Sequence, residues 1–240
     1  MTETRLLAVF AHPDDETFRC GGTLALLAQR GVRVQVLTAT RGQAGSRGDP
    51  PLCAPEELPV VRENELRCAC AALGIQPPIL LDYQDGQLSE SAPERIVSEI
   101  LAVVREVRPQ MLLTYGLDGI SGHPDHIAIG RFAAEAFRQA EAVNVLYTLA
   151  VPLSLADKLG MTQIRAVPDE AITLAVDISE IWEAKMAAIR CHRTQLGESP
   201  ILTASEEKQR LFLGVEYFVR MARRNGRDFL PKLLRYYAPL

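Results

Sequence analysis

Three of the four histidines of this chain lie in two short clusters that also contain aspartate. The clusters read Ala11-His-Pro-Asp-Asp-Glu16 and His123-Pro-Asp-His126. Imidazole and carboxylate groups are typical zinc ligands, and a catalytic zinc keeps three protein ligands and one open position for water. A single such cluster is typical of a turn whose aspartate caps a helix. Two of them in one chain predict a metal site that activates water.

The spacing within the clusters indicates which side chains would bind the metal. His12 and Asp15 are three residues apart in a tight turn and can face one ion, and His126 at the start of a helix can complete the set. Two imidazoles and one carboxylate leave a zinc ion with a net positive charge, so the ion would still acidify its water. Proline after each leading histidine restricts the turn that aims it.

The remaining polar residues of the clusters are candidates for proton transfer. A carboxylate beside a metal-bound water can take its proton, so we expect Asp14 to be the general base. His123, one helical turn before His126, could stabilise an oxyanion and protonate a leaving amine. Asp125 would orient an imidazole, with His123 as the favoured partner.

Apolar segments and helical patterns alternate along the chain that carries these clusters. Continuous apolar segments predict buried strands at residues 6–10, 32–38, 79–81, 111–115, 145–150 and 171–176. Apolar residues at helical spacing predict the intervening helices and two later helices at 179–194 and 205–223. We therefore expect one domain over residues 1–240, a Rossmann-like three-layer α/β sandwich with a mostly parallel sheet.

The predicted topology places the two clusters together. In the strand order 3-2-1-4-5, the first and fourth strands are neighbours where the chain reverses direction, and ligands bind in the crevice beyond that point. Each cluster begins a few residues after the end of one of these strands. The clusters are therefore expected to face each other.

Composition excludes several other classes of protein. The net charge is −4, and no apolar stretch reaches the ~18 residues that a membrane span requires. The N-terminal sequence is not that of a signal peptide.

Five cysteines without a Cys-x-x-Cys pair argue against disulfides and favour reduced thiols in the cytoplasm. We interpret a basic cluster near the C-terminus as a solvated helix end and not as a nucleic-acid site: Arg220, Arg223, Arg224, Arg227, Lys232 and Arg235.

At these residues the sequence resembles the PIG-L/LmbE-like N-acetylglucosaminyl deacetylase family, which includes deacetylases of mycothiol and bacillithiol synthesis. The two histidine clusters match the family's metal motifs. Supporting segments extend the resemblance over most of the chain: Thr38-Ala-Thr-Arg-Gly-Gln-Ala-Gly45, Arg62-Glu-Asn-Glu65 and Ala71-Ala-Leu-Gly74. The resemblance implies zinc on His12, Asp15 and His126, Asp14 as base, and His123 as acid or oxyanion partner.

The resemblance also implies a substrate and contacts to it. The substrate would be a small amino-sugar conjugate that loses an N-acetyl group, and a homo-oligomer is favoured. Arg62 would contact substrate oxygens and Asp85 sugar hydroxyls, with an ordinary helix-start arginine and a turn aspartate as alternatives. Ser121 stands where some relatives carry a tyrosine. For His192 we favour a structural role at a helix end.

Two other interpretations of the same residues stay open. Two histidines and one carboxylate can also hold iron(II) in an oxygenase, and the spacing does not exclude iron or another divalent metal. The chain could instead be a Rossmann-like module that binds a sugar or nucleotide without catalysis. However, the first strand is followed by His-Pro-Asp-Asp-Glu and not by Gly-x-Gly-x-x-Gly, so the usual dinucleotide loop is missing there.

Overall fold

The computed structural model describes residues 3–197, 200–224, 226, 228–234 and 236–237. A sheet of eight strands runs through these residues. In chain order the strands are β1 (Arg5–Phe10), β2 (Arg33–Thr40), β3 (Ile79–Tyr83), β4 (Met111–Thr114), β5 (Val145–Ala150), β6 (Leu174–Asp177), β7 (Val215–Arg223) and β8 (Tyr236–Tyr237).

The first five strands are parallel and lie in the order β3-β2-β1-β4-β5, which confirms the predicted order. Nearly every residue of β1, β4 and β5 is buried. Parallel strands need such continuous apolar sequences because helices cover both of their faces. β7 then pairs antiparallel with both β5 and β6, and β8 pairs antiparallel with β6.

The helical segments of the described residues are α1 (Asp15–Phe18), α2 (Gly21–Gln29), α3 (Leu58–Ala72), α4 (Pro93–Val107), α5 (Gly119–Gly122), α6 (Pro124–Gln139), α7 (Leu153–Leu159), α8 (Trp182–Cys191), α9 (Arg193–Leu196), α10 (Pro200–Thr203), α11 (Glu206–Leu213) and α12 (Leu230–Leu233). α2, α3 and α8 pack together in one layer, and α4 and α6 form the other. This arrangement confirms the three-layer α/β sandwich. None of these helices is long and apolar enough to cross a lipid bilayer.

The predicted helix over residues 205–223 is wrong in its second half. α11 ends at Leu213, and Gly214 separates it from the strand β7. Glu216 and Phe218 are buried while the residues between and beside them are less so, which is the two-residue period of a strand. Pairing with β5 and β6 therefore outweighs the helical propensity of this segment.

The basic cluster near the C-terminus is not one solvated helix end. Arg220 and Arg223 lie in β7. Arg224 donates hydrogen bonds to backbone carbonyls in the last turn of α6, where the helix dipole favours a cation. Arg227 and Arg235 lie outside the described residues.

A disulfide bond joins Cys68 in α3 to Cys191 at the end of α8, so the expectation that all thiols are reduced is wrong. The two cysteines are 123 residues apart in sequence, and the packing of α3 against α8 brings their Cα atoms to 5.7 Å. This separation is usual for bonded cysteines. Cys20, Cys53 and Cys70 are free.

We expect the Cys68→Ser substitution to lower the melting temperature by roughly 10–20 °C. A crosslink across a loop of 123 residues contributes about 5 kcal/mol by restricting the unfolded chain, and each kcal/mol shifts Tm by about 2–4 °C at this chain length. Thermal unfolding of the oxidised protein measures the change. Cys53→Ser, which removes a free thiol, is the matched control, and equal Tm values for the two variants would contradict the prediction.

Candidate metal centre and active site

Both histidine clusters lie at the carboxyl ends of neighbouring strands. His12 follows β1 closely, and a turn containing α5 leads from β4 to His123. β1 and β4 are hydrogen-bonded neighbours in the centre of the parallel part of the sheet, where strand order reverses. The topology thus brings together His12 and His126, which are 114 residues apart in sequence.

Three ligand-type atoms face one another between the clusters. His12 Nδ1 lies 3.2 Å from His126 Nε2 and 3.8 Å from Asp15 Oδ2, and His126 Nε2 lies 3.2 Å from Asp15 Oδ1. Ligands bound at ~2.0 Å to a tetrahedral ion lie roughly 3.3 Å from one another. The donor types and their spacing therefore fit a divalent cation held by these three residues.

Asp15 is oriented by three hydrogen bonds. Its Oδ2 accepts the backbone N–H groups of Ala11 (3.1 Å) and His12 (2.9 Å), and its Oδ1 accepts the hydroxyl of Tyr115 (2.6 Å). Burial alone would raise the pKa of Asp15, but the neighbouring His126 and His12 lower it below its ordinary value. The side chain is therefore an ionised carboxylate, the form that binds metal.

The second ring nitrogen of His12 faces two carboxylates. Nε2 lies 2.9 Å from Asp85 Oδ1 and 3.2 Å from Asp125 Oδ2. Burial lowers the pKa of His12, but its hydrogen bonds to Asp125 and Asp85 outweigh burial and raise the pKa to about 10. A histidine that donates one ring N–H to a carboxylate presents its other nitrogen to a metal in a fixed orientation.

The expected pairing of Asp125 with the His123 ring is wrong. The Asp125 carboxylate contacts His12 and also accepts the backbone N–H groups of Gly86 (2.7 Å) and Leu88 (3.0 Å). These donors come from the loop after β3 and hold the carboxylate towards β1. Asp125 therefore orients a proposed metal ligand instead of the proton carrier.

His12, His123 and Asp125 form a second group whose ligand atoms lie within 4.8 Å of one another. The His12 nitrogen that lies 3.2 Å from the Asp125 carboxylate is Nε2, which also contacts Asp85. A neutral imidazole has one nitrogen lone pair and one N–H, so it serves one of the two groups. The group of His12, Asp15 and His126 leaves the carboxylate contacts of His12 intact and is the better metal site.

Asp14 lies beside this donor set in an uncommon backbone conformation. Its φ is 106°, a region in which aspartate and asparagine are tolerated better than other side chains. Its backbone N–H donates to Glu16 Oε2 (3.0 Å), and its Oδ2 accepts from Arg62 Nη2 (3.2 Å). Burial raises the pKa of Asp14 to about 6, although Arg62 lowers it.

Arg62 is buried under the site, with 3% of its surface exposed. Besides Asp14, its guanidinium donates to the carbonyl oxygens of Gly42 (2.7 Å) and Pro13 (2.5 Å). A Cβ atom at Gly42 or Gly45 would overlap the guanidinium, so this close approach requires glycine at both positions. The structure thus places Arg62 against protein oxygens, and its contact with substrate stays a prediction.

His123 stands at the start of α6, where its side chain caps the helix. Its Nδ1 accepts the backbone N–H of Asp125 (3.2 Å), and its ring centre lies 5.0 Å from that of His12 and 4.9 Å from that of His126. Because Nδ1 is an acceptor, the proton of the neutral ring is on Nε2. Burial lowers the pKa of His123, and His12 and His126 lower it further.

These side chains surround a cavity of about 310 Å³. Its lining comes from both clusters, from the loops after β2 and β3, and from the helices α3 and α9: His12, Asp14, Asp15, Ala44, Gly45, Arg62, Asp85, Gly86, His123, His126 and Gln195. Asp85 is among them, although its oxygens already accept from His12 and from the backbone N–H of Ala44. Its contact with sugar hydroxyls therefore also stays a prediction.

Sequence reasoning missed two contributions to this site. Tyr115, which the sequence predicts only as the last residue of a buried strand, donates its hydroxyl to Asp15. Glu16, the last residue of the first cluster, is fully buried and pairs with the fully buried His192 (Nε2 to Oε1, 2.7 Å). His192 thus has a structural contact, and through Glu16 it supports the Asp14 backbone. The position of Glu16 inside the first motif is a signal that could have identified it, whereas no sequence signal pointed to Tyr115.

The fold and the donor set define a class: α/β proteins with a two-histidine, one-carboxylate site at the strand ends. The model of the GlcNAc-PI de-N-acetylase (PIG-L) family matches residues 7–137, more than half of the chain, and the chain belongs to this family. The 1D-myo-inositol 2-acetamido-2-deoxy-alpha-D-glucopyranoside deacetylase of Acidothermus cellulolyticus is 34% identical over 89% of this chain and 87% of its own.

Two further similarities bear on activity and on fold. The "Probable N-acetyl-alpha-D-glucosaminyl L-malate deacetylase 2" of Bacillus cereus is 34% identical over 80% of this chain and 84% of its own. The solved structure of GalB, the 4-carboxy-2-hydroxymuconate hydratase of Pseudomonas putida KT2440, has a TM-score of 0.69 at 20% identity, covering 94% of this chain and 99% of that one. GalB shares the fold, so the fold alone does not determine the reaction.

Proposed function

We propose that this chain is a zinc-dependent hydrolase that removes the acetyl group from an N-acetylglucosamine-type conjugate. The observation that carries the proposal is the convergence of His12 Nδ1, His126 Nε2 and the Asp15 carboxylate at distances typical of ligands to one ion. Two relatives at 34% identity that are named as deacetylases support the substrate class. One domain over residues 1–240, a cytoplasmic location and a homo-oligomer stay predictions.

The reaction forms a bond between a water oxygen and the acetyl carbon and breaks the carbon–nitrogen bond, which yields a free amine and acetic acid, and the acid then releases its proton to solvent as acetate. Bound at this site, zinc would acidify water and polarise a carbonyl group. Asp14 accepts the proton that the attacking water loses and returns it to the departing nitrogen. Arg62 holds the Asp14 carboxylate during both transfers.

His123 donates a hydrogen bond to the carbonyl oxygen as that oxygen gains negative charge. The donor is Nε2–H, because Nδ1 accepts the backbone N–H of Asp125. A second proton on Nδ1 would face that N–H, so the doubly protonated ring that a general acid needs is disfavoured. Of the two roles expected for His123, the geometry supports the oxyanion partner.

The charges around the cavity favour a conjugate whose second part is neutral. Asp14, Asp15 and Asp85 are the acidic lining residues, and Arg62, the one arginine or lysine of this lining, directs Nη1 and Nη2 at protein oxygens. Arg41, a loop arginine that could meet an anion, forms ion pairs with Glu63 and with Asp82. An inositol-type conjugate is therefore favoured over a malate-type one.

Amine release from these two conjugates, with and without a chelator, tests the proposal. We expect deacetylation that stops on chelation, returns with added zinc and proceeds without oxygen. Oxygen-dependent consumption of an oxo-acid would support the iron(II) oxygenase instead. Binding of both conjugates without any amine release would support the non-catalytic module.

A further inference from the structure

Tyr115 contacts two of the three proposed metal ligands. It follows the last residue of β4 and is 6% exposed. Its hydroxyl donates to Asp15 Oδ1 over 2.6 Å. Its ring stacks on the His126 imidazole, with ring centres 4.0 Å apart and planes 7° from parallel. The reaction described for this site uses neither contact.

The two contacts restrict movements that other neighbours leave free. Both backbone donors to Asp15 bind Oδ2, so the Tyr115 hydroxyl holds Oδ1, the oxygen nearer to His126 Nε2. The other ring nitrogen of His126, Nδ1, lies 3.3 Å from Ser121 Oγ. One hydrogen bond leaves an imidazole free to tilt, whereas a stacked ring fixes its plane.

The Tyr115 ring is itself held in place. The Phe10 ring meets it edge to face, with centres 5.7 Å apart, and Phe10 is fully buried at the end of β1. Tyr115 therefore connects the ends of β1 and β4, the two strands that carry the ligands. A rigid residue in this position can set the distance between Asp15 and His126 before any ion binds.

We propose that Tyr115 is a positioning residue for the metal site, whose hydroxyl fixes Asp15 and whose ring fixes the plane of His126. The inference rests on the proposed metal site and is independent of the substrate. Residues that orient metal ligands typically change metal affinity about 10- to 100-fold when they are substituted. Tyr115→Phe removes the hydroxyl and keeps the stacked ring, and Tyr115→Leu removes both.

Zn²⁺ titration of metal-free protein in competition with a chromophoric chelator tests the proposal. We expect Tyr115→Phe to weaken zinc binding about 10-fold or more and Tyr115→Leu to weaken it further. Tyr147→Phe is the matched control, because Tyr147 is also buried and also donates to a carboxylate, Asp228 Oδ2, over 2.7 Å. This control should bind zinc as the wild type does, even where its Tm falls.

Zinc affinity in Tyr115→Phe equal to that of the wild type, or an equal loss in Tyr147→Phe, would overturn the positioning role. If Tyr115→Phe does not fold, the near-ultraviolet tyrosine difference spectrum of the wild type replaces it: zinc binding must perturb a buried tyrosine, and a flat spectrum refutes the proposal. A wild-type protein that binds no zinc would instead defeat the proposed function.

Discussion

Replacing Asp14 with asparagine should lower kcat by a factor of about 10²–10⁴, the usual contribution of a general base, while the zinc content stays at one ion per chain. Asparagine has the same shape, but its amide cannot accept a proton from water. It also tolerates the φ of 106° found at this position. The three proposed ligands are untouched, so the metal should remain bound.

The comparison needs kcat and metal analysis on the same preparations. Asp157→Asn is the matched control, since Asp157 lies exposed in α7 and does not line the cavity. That variant should have wild-type kcat and zinc content. Wild-type turnover by Asp14→Asn would show that another group takes the proton, and loss of zinc would show that Asp14 helps to bind the ion.

Substitutions of His123 separate its two expected roles. Asparagine places its side-chain oxygen near the position of Nδ1 and can keep the helix cap, but it has no donor at the position of Nε2. Glutamine places its amide N–H near Nε2. If His123 is an oxyanion donor, His123→Asn should lower kcat by about 10²–10³, and His123→Gln should retain at least ten times more activity than His123→Asn.

A general acid would behave differently, because neither amide can protonate an amine. Equal loss of activity in His123→Asn and His123→Gln would therefore contradict the oxyanion role and support the acid. The thermal stability of each variant must be measured alongside. Loss of the side-chain cap costs about 1 kcal/mol, which leaves the protein folded during the assay.

The parallel part of the sheet was predictable because the apolar sequence of each strand indicates a buried strand without reference to distant residues. β1, β4 and β5 are continuous apolar segments with helical patterns between them, and this pattern permits few topologies. The order of the strands then places the two histidine clusters together. The segment of β7 has no continuous apolar sequence. Its nine residues of mixed polarity form a strand because they pair with β5 and β6.

The contacts around the ligands were less predictable because they join distant segments. Asp85 and Asp125 both reach His12 Nε2, from a loop and a helix that are far from it in sequence. The disulfide between Cys68 and Cys191 depends on how α3 packs against α8. Residue types indicate that such groups need partners, but only the packed structure determines which partners they have.

A crystal structure of the zinc-loaded protein, with anomalous scattering measured at the zinc edge, tests the central claim most directly. We predict one peak per chain, within ~2.0–2.2 Å of His12 Nδ1, His126 Nε2 and an oxygen of Asp15. Absence of a peak between these three side chains, or a peak bound by other residues, would contradict the account.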